Sequence, residues 1–188
     1  MEGRTPDFLK KSGVRPSISP EFLYPHRGMM ITEPITLITD YLLSASSATF
    51  AILTFRLRSS HRAMPLWILA FTCAAIAALS GGTFHGFKEY FSPPAGKSLW
   101  DTAMIFIGGT AAFLIAATII SSLRDRKQPY VHWLKRGLTV SVLGFAFQKI
   151  GWAPTSSFNH NDVYHLTQIA GFWCLYQGIK RIGAGTGR

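Results

Sequence analysis

Charged side chains are missing from two long stretches of the chain, 63–84 and 102–123. Each is as long as the roughly 20 apolar residues that a helix needs to cross a bilayer. Reading outward from these runs predicts five helices. The first covers 33–57. Thr32-Glu33-Pro34 reads as its start, with Thr32 as the cap and Pro34 in the first turn, where its missing N–H costs nothing. The second covers 63–87 and the third 99–123. In the third, Gly108, Ala112 and Ala116 recur every fourth residue, a small-residue stripe suited to close helix contact. The fourth covers 131–152, where Arg136 and Lys149 must both snorkel. The fifth covers 161–179, with Asn159 or Asn161 as its cap. The expected fold is therefore all-α: a polytopic membrane helix bundle of about five transmembrane helices over 32–182. An irregular N-terminal tail, 1–31, lies outside the membrane, and 183–188 form a short C-terminal tail.

Composition narrows the classes. Charged residues are 15% of the chain, against about 25% in soluble domains, and the deficit is concentrated in the apolar runs. That excludes an ordinary soluble globular protein and a disordered one. The tail has no apolar run of signal-peptide type, so the first helix is expected to stay in the mature protein. Cys73 and Cys174 both fall in apolar runs and make no disulfide framework. The net charge of +10 comes from 19 basic residues. They flank apolar runs, as at membrane edges, so nucleic acid is not an expected partner and the lipid bilayer is. Arg56, Arg58, Arg62, Arg124, Arg126, Lys127, Lys135, Arg136, Lys180, Arg181 and Arg188 fall at one set of helix ends. Only Lys88, Lys97 and Lys149 fall at the other. Basic residues favour the cytoplasmic side, which places the C-terminus in the cytoplasm and the N-terminus outside.

The ionisable residues gather at that external end. Glu33 and Asp40 lie on the first helix, His85 closes the second and Asp101 opens the third. His160, Asp162 and His165 open the fifth. Ionisable groups at membrane depth are costly, which makes them functional candidates. His85, His160 and His165 with a carboxylate are the ligand types of a zinc site with an open position. A haem-ligating pair, such as His85 with His165, is the less favoured cofactor reading. Plain polar packing between helices is favoured over both.

Ser80, His85, Asp101 and the His160/His165 pair occur in an order that resembles the alkaline ceramidase and progestin-receptor (CREST) superfamily of seven-helix, zinc-dependent lipid hydrolases. In this chain Ser80 lies five residues before His85, and the later pair is spaced His-x4-His. The resemblance implies His85, His160 and His165 as zinc ligands. It implies Asp101 as the group orienting the water or a ligand, and Ser80 as a supporting donor. The runs 32–40, 81–87 and 161–168 are also similar to bacterial multi-pass membrane proteins of unknown function. That similarity implies a bacterial inner membrane and no particular activity.

Two functions follow as expectations. The favoured one is an accessory or structural subunit of a larger membrane complex, docked on other membrane protein subunits by the tail. Phe8, Phe22, Leu23 and Tyr24 would be its anchors. The alternative is a zinc-dependent hydrolase acting on a lipid amide or ester.

Overall fold

Pro34 opens the first of five helices in the computed structural model, which describes residues 30–57, 61–123, 129–155 and 158–185. The chain divides into two units, Met1–Met30 and Ile31–Arg188. Everything below concerns the second. The tail and its four aromatic and aliphatic anchors lie outside the described residues. The helices are α1 (Pro34–Arg56), α2 (Met64–Phe87), α3 (Pro93–Leu123), α4 (Pro129–Ile150) and α5 (His160–Gly185), with one 3-10 turn at Lys88–Tyr90. The described residues are thus all-helical. α1, α2 and α3 are each long and apolar enough to cross a membrane. α4 and α5 are long enough but carry more polar residues.

Local chemistry sets the helix ends. Three helices start on proline, at Pro34, Pro93 and Pro129, where the absent N–H has no helical partner to lose. α3 therefore begins six residues before the predicted 99. Thr32 does not cap α1. Its backbone N–H donates to Gly86 O on α2 at 3.0 Å, which draws the entering chain along α2. Its hydroxyl is buried without a partner, and Glu33 takes the N-cap position. Asn159 does cap α5: its side-chain oxygen accepts from Asn161 N–H at 2.8 Å and Asp162 N–H at 3.4 Å. The Asp162 carboxylate returns to Asn159 N–H at 2.7 Å, a reciprocal capping box with Asp in place of Glu. α4 ends at Gly151, whose φ of +72° suits a residue without a side chain.

Glycines let the helices approach. A Cβ on Gly82 would meet Asp40 Cβ at 2.7 Å, and one on Gly86 would meet Leu37 at 2.9 Å; these two positions let α1 lie against α2. Likewise a Cβ on Gly137 would meet Gly171 O at 2.8 Å, which brings α4 onto α5. The expected stripe on α3 plays no such part. Gly108 has nothing within 4 Å of its missing side chain, while Gly109, one residue on, faces Cys73 Sγ at 3.2 Å.

The core sits where α1, α2 and α5 meet. Phe50 lies 5.6 Å from Phe71 and 5.5 Å from Tyr176, and Phe71 lies 5.5 Å from Phe172. Trp67 is fully buried beside them and donates its Nε1–H to Ser121 Oγ at 3.2 Å. α3 packs on the outer side of α2 and α4 on the outer side of α5, but α3 and α4 hardly touch each other. The order in space is therefore α4–α5–α1–α2–α3, a row with two free ends.

Candidate functional site: a polar cluster heading an apolar cavity

α1, α3 and α5 begin at the same end of the bundle where α2 and α4 finish, so up-and-down topology brings five helix termini together. Two carboxylate–imidazole pairs form there. Glu33 Oε2 lies 3.0 Å from His85 Nδ1, and Lys88 Nζ donates to Glu33 Oε1 at 2.7 Å. Burial pushes the Glu33 carboxyl up. The hydrogen bond and charge of Lys88, with His85 beside it, outweigh that and hold it below its ordinary value. Deeper in, His165 Nε2 lies 3.1 Å from Asp40 Oδ1, and both side chains are buried.

Thr39 ties the second pair to the α5 cap. Its hydroxyl lies 3.1 Å from His165 Nδ1, from Asp162 Oδ1 and from its own helix at Thr36 O. One hydroxyl proton serves only one of these acceptors. An ionised Asp40 requires His165 to carry its proton on Nε2. A neutral His165 then accepts from Thr39 at Nδ1, whereas a protonated one donates there and frees the Thr39 proton for Asp162. Asn159 Nδ2 donates to Thr36 Oγ1 at 3.1 Å, so α1 and α5 are stitched along a turn and a half. α4 joins through Gln168 Nε2, which donates to Ser141 O at 2.8 Å, and Gln148 Nε2, which donates to Asn161 Oδ1 at 3.1 Å.

Below this cluster lies a cavity of about 670 Å³. Its polar end includes Asp40, His85, His160, Tyr164 and His165, with Lys149 also on its wall; Ala77, Ile107, Leu114, Phe145 and Phe172 give it apolar sides. α3 and α4 border it from opposite sides without packing together, so the cavity opens between them.

The structure thus brings His85, His160, His165 and Asp40 to one cavity and sets Asp162 behind it. Asp101 stands apart, half exposed and paired with Lys97 one turn earlier on α3; its neighbour Trp100 reaches the cavity instead. Ser80 is half-buried on α2 and outside the lining. Among the described residues, no three His, Cys, Asp or Glu side chains are grouped to hold one metal ion. His85 is engaged by Glu33, and His165 by Asp40 and Thr39. Sequence reasoning missed Thr39, Gln168 and Trp100. The spacing Asp162, His165, Gln168, three residues apart each time, was the signal of one polar stripe on α5.

Comparison with curated proteins finds no match, and comparison with solved structures finds none. A family model, described as a family of unknown function (DUF6962), matches residues 35–134 and 111–184, which together run from α1 through nearly all of α5. The chain belongs to the DUF6962 family.

Proposed function

We propose that this protein is an integral membrane protein that binds a small amphiphile, head against the Asp40–His165 cluster and tail along the walls of α3 and α4. The observation that carries the reading is the cavity: polar at one end, apolar along its length and open on one side. Its volume lies in the range of ligand sites, roughly 300–1,000 Å³. The opening falls between two helices whose outward faces carry Ile105, Ile115, Val142 and Leu143 in the open. Such faces suit lipid, so a ligand reaches the cavity sideways from the bilayer.

All five helices cross the membrane in this reading. On α5, Asp162, His165 and Gln168 are buried in the bundle, and α4 meets that stripe through Gln148 and Ser141; the exposed Lys135, Arg136 and Lys149 of α4 lie toward its two ends. Arg136 and Arg181 lie over the Trp133 ring at 5.4 and 4.9 Å, at the end opposite the cluster. That basic end belongs at the cytoplasmic face by charge asymmetry, the cluster at the outer face, and a bacterial inner membrane is the setting we infer. A hydrolase of CREST type needs a metal centre, and the geometry of His85 and His165 favours binding over that chemistry.

The test is native mass spectrometry of protein extracted in mild detergent. Wild type should carry a non-covalent adduct of small-molecule mass. Ala111→Trp, on an exposed lining position of α3, should lose it while staying folded. A wild-type protein free of adduct, which also takes up none on incubation with extracted membrane lipid, overturns the reading.

A further inference from the structure

Six carboxylate oxygens belong to Glu33, Asp40 and Asp162, and five have partners. Glu33 gives one to His85 and one to Lys88. Asp162 gives one to Thr39 and one to Asn159 N–H. Asp40 gives Oδ1 to His165, and its Oδ2 is buried with no hydrogen-bond partner. Asp40 is 4% exposed, yet it lines the cavity beside Gly81. Both its oxygens lie 3.8 Å from where a Gly81 side chain would start, so Gly81 is the part of the cavity wall next to them.

Charge adds to geometry. Asp40 and Asp162 are buried together with one imidazole between them. When both carboxylates are ionised, even a protonated His165 balances only one of the two. Buried charges are held by paired, hydrogen-bonded partners; Lys88 is already spent on Glu33, and Lys149, the lysine on the cavity wall, lies over the Phe145 ring at 5.3 Å. The unpartnered Asp40 Oδ2 therefore suits a cation that brings its own N–H donors, reached through an apolar passage. We propose that the ligand is a long-chain primary amine whose ammonium group donates to Asp40 Oδ2 while its chain lies between Ile107 and Phe145. This rests on the amphiphile-binding reading and names its head group. A quaternary ammonium has the charge and no N–H; an alcohol has one O–H and no charge; a sulfate is repelled by the local excess of carboxylates. Among these four heads the primary ammonium alone meets both demands.

The experiment uses the full chain in a neutral detergent and four brominated long-chain probes with primary ammonium, trimethylammonium, hydroxyl or sulfate heads. Trp100 lines the cavity, so bromine in the chain quenches its fluorescence, and Trp100→Phe identifies that share of the signal. The primary ammonium probe should quench saturably, at a midpoint roughly tenfold or more below those of the other three. Asp40→Asn should remove that preference, bringing the primary ammonium midpoint level with the hydroxyl one in the same variant. Equal midpoints for primary and quaternary heads, or a preference for hydroxyl or sulfate, overturn the amine assignment and leave amphiphile binding standing. Failure of all four probes to quench Trp100 saturably overturns both. If Asp40→Asn does not fold, the head-group series on the wild type decides alone.

Discussion

Glu33 and His165 make opposite demands on the molecule. Glu33 sits at the mouth of the bundle, paired with Lys88 and His85. Its folded pKa lies below the ordinary 4.5. A depressed carboxyl pKa adds stability that is present above the unfolded value and is lost as pH falls through the folded one. Wild type should therefore unfold at higher temperature than Glu33→Gln above about pH 4.5, and the two melting curves should converge on further acidification. An unchanged gap in acid contradicts the pairing. His165 is buried with an acidic partner on one nitrogen and a hydroxyl on the other. His165→Leu removes both contacts and leaves Asp40 buried without a partner on either oxygen, a cost of about 1–3 kcal/mol. The variant should melt at a lower temperature in detergent, and Asp40→Leu combined with it should restore part, because no unpartnered carboxyl is left.

Helix packing turns on which glycine faces which neighbour. Gly82→Ala places a methyl 2.7 Å from Asp40 Cβ, and overpacking of that kind costs about 1–3 kcal/mol. Gly108→Ala meets nothing within 4 Å and removes a flexible residue from a helix, a gain of roughly 0.5–1 kcal/mol. Melting temperatures of the two variants should move in opposite directions. The same comparison marks what was legible before the structure. Charge-free runs reveal a helix and its depth, and the Asn159 cap was readable because capping is a local matter of side chain and backbone. Facing is not local. A four-residue stripe at Gly108, Ala112 and Ala116 looks identical whether it meets a helix or lipid, and the helix turned Gly109 inward instead. The early start of α3 at Pro93 was hidden because two adjacent prolines read equally as a loop. Asp101 was expected in the cluster by its place at a helix start, but a lysine one turn away holds it outward. Thr39 was invisible because its part depends on α5 lying alongside α1.

At the scale of the whole molecule, an open row of helices leaves a gap that a closed bundle would fill. α3 and α4 are its free ends, and the cavity is the space their lack of contact leaves. The same up-and-down path puts Glu33, Asp40, His85, His160, Asp162 and His165 at one face and Arg136 and Arg181 at the other. Topology is checked by single cysteines at Lys97 and Lys135, with Cys73 and Cys174 replaced. An impermeant thiol reagent should label position 97 and not position 135 in intact cells; the reverse pattern would put the cluster in the cytoplasm. Labelling of positions 135 and 149 from the same side would show that α4 does not cross.

Ligand binding requires the cavity between α3 and α4 to be a ligand-holding space. An experimental structure of the protein purified from its own membrane, with no ligand added, measures this most directly. Elongated density should run from Asp40 past Ile107 and Phe145 to the lipid-facing gap, with α3 and α4 held apart. Direct packing of α3 against α4, with Ile107 and Phe145 in contact and the cavity closed, would contradict it.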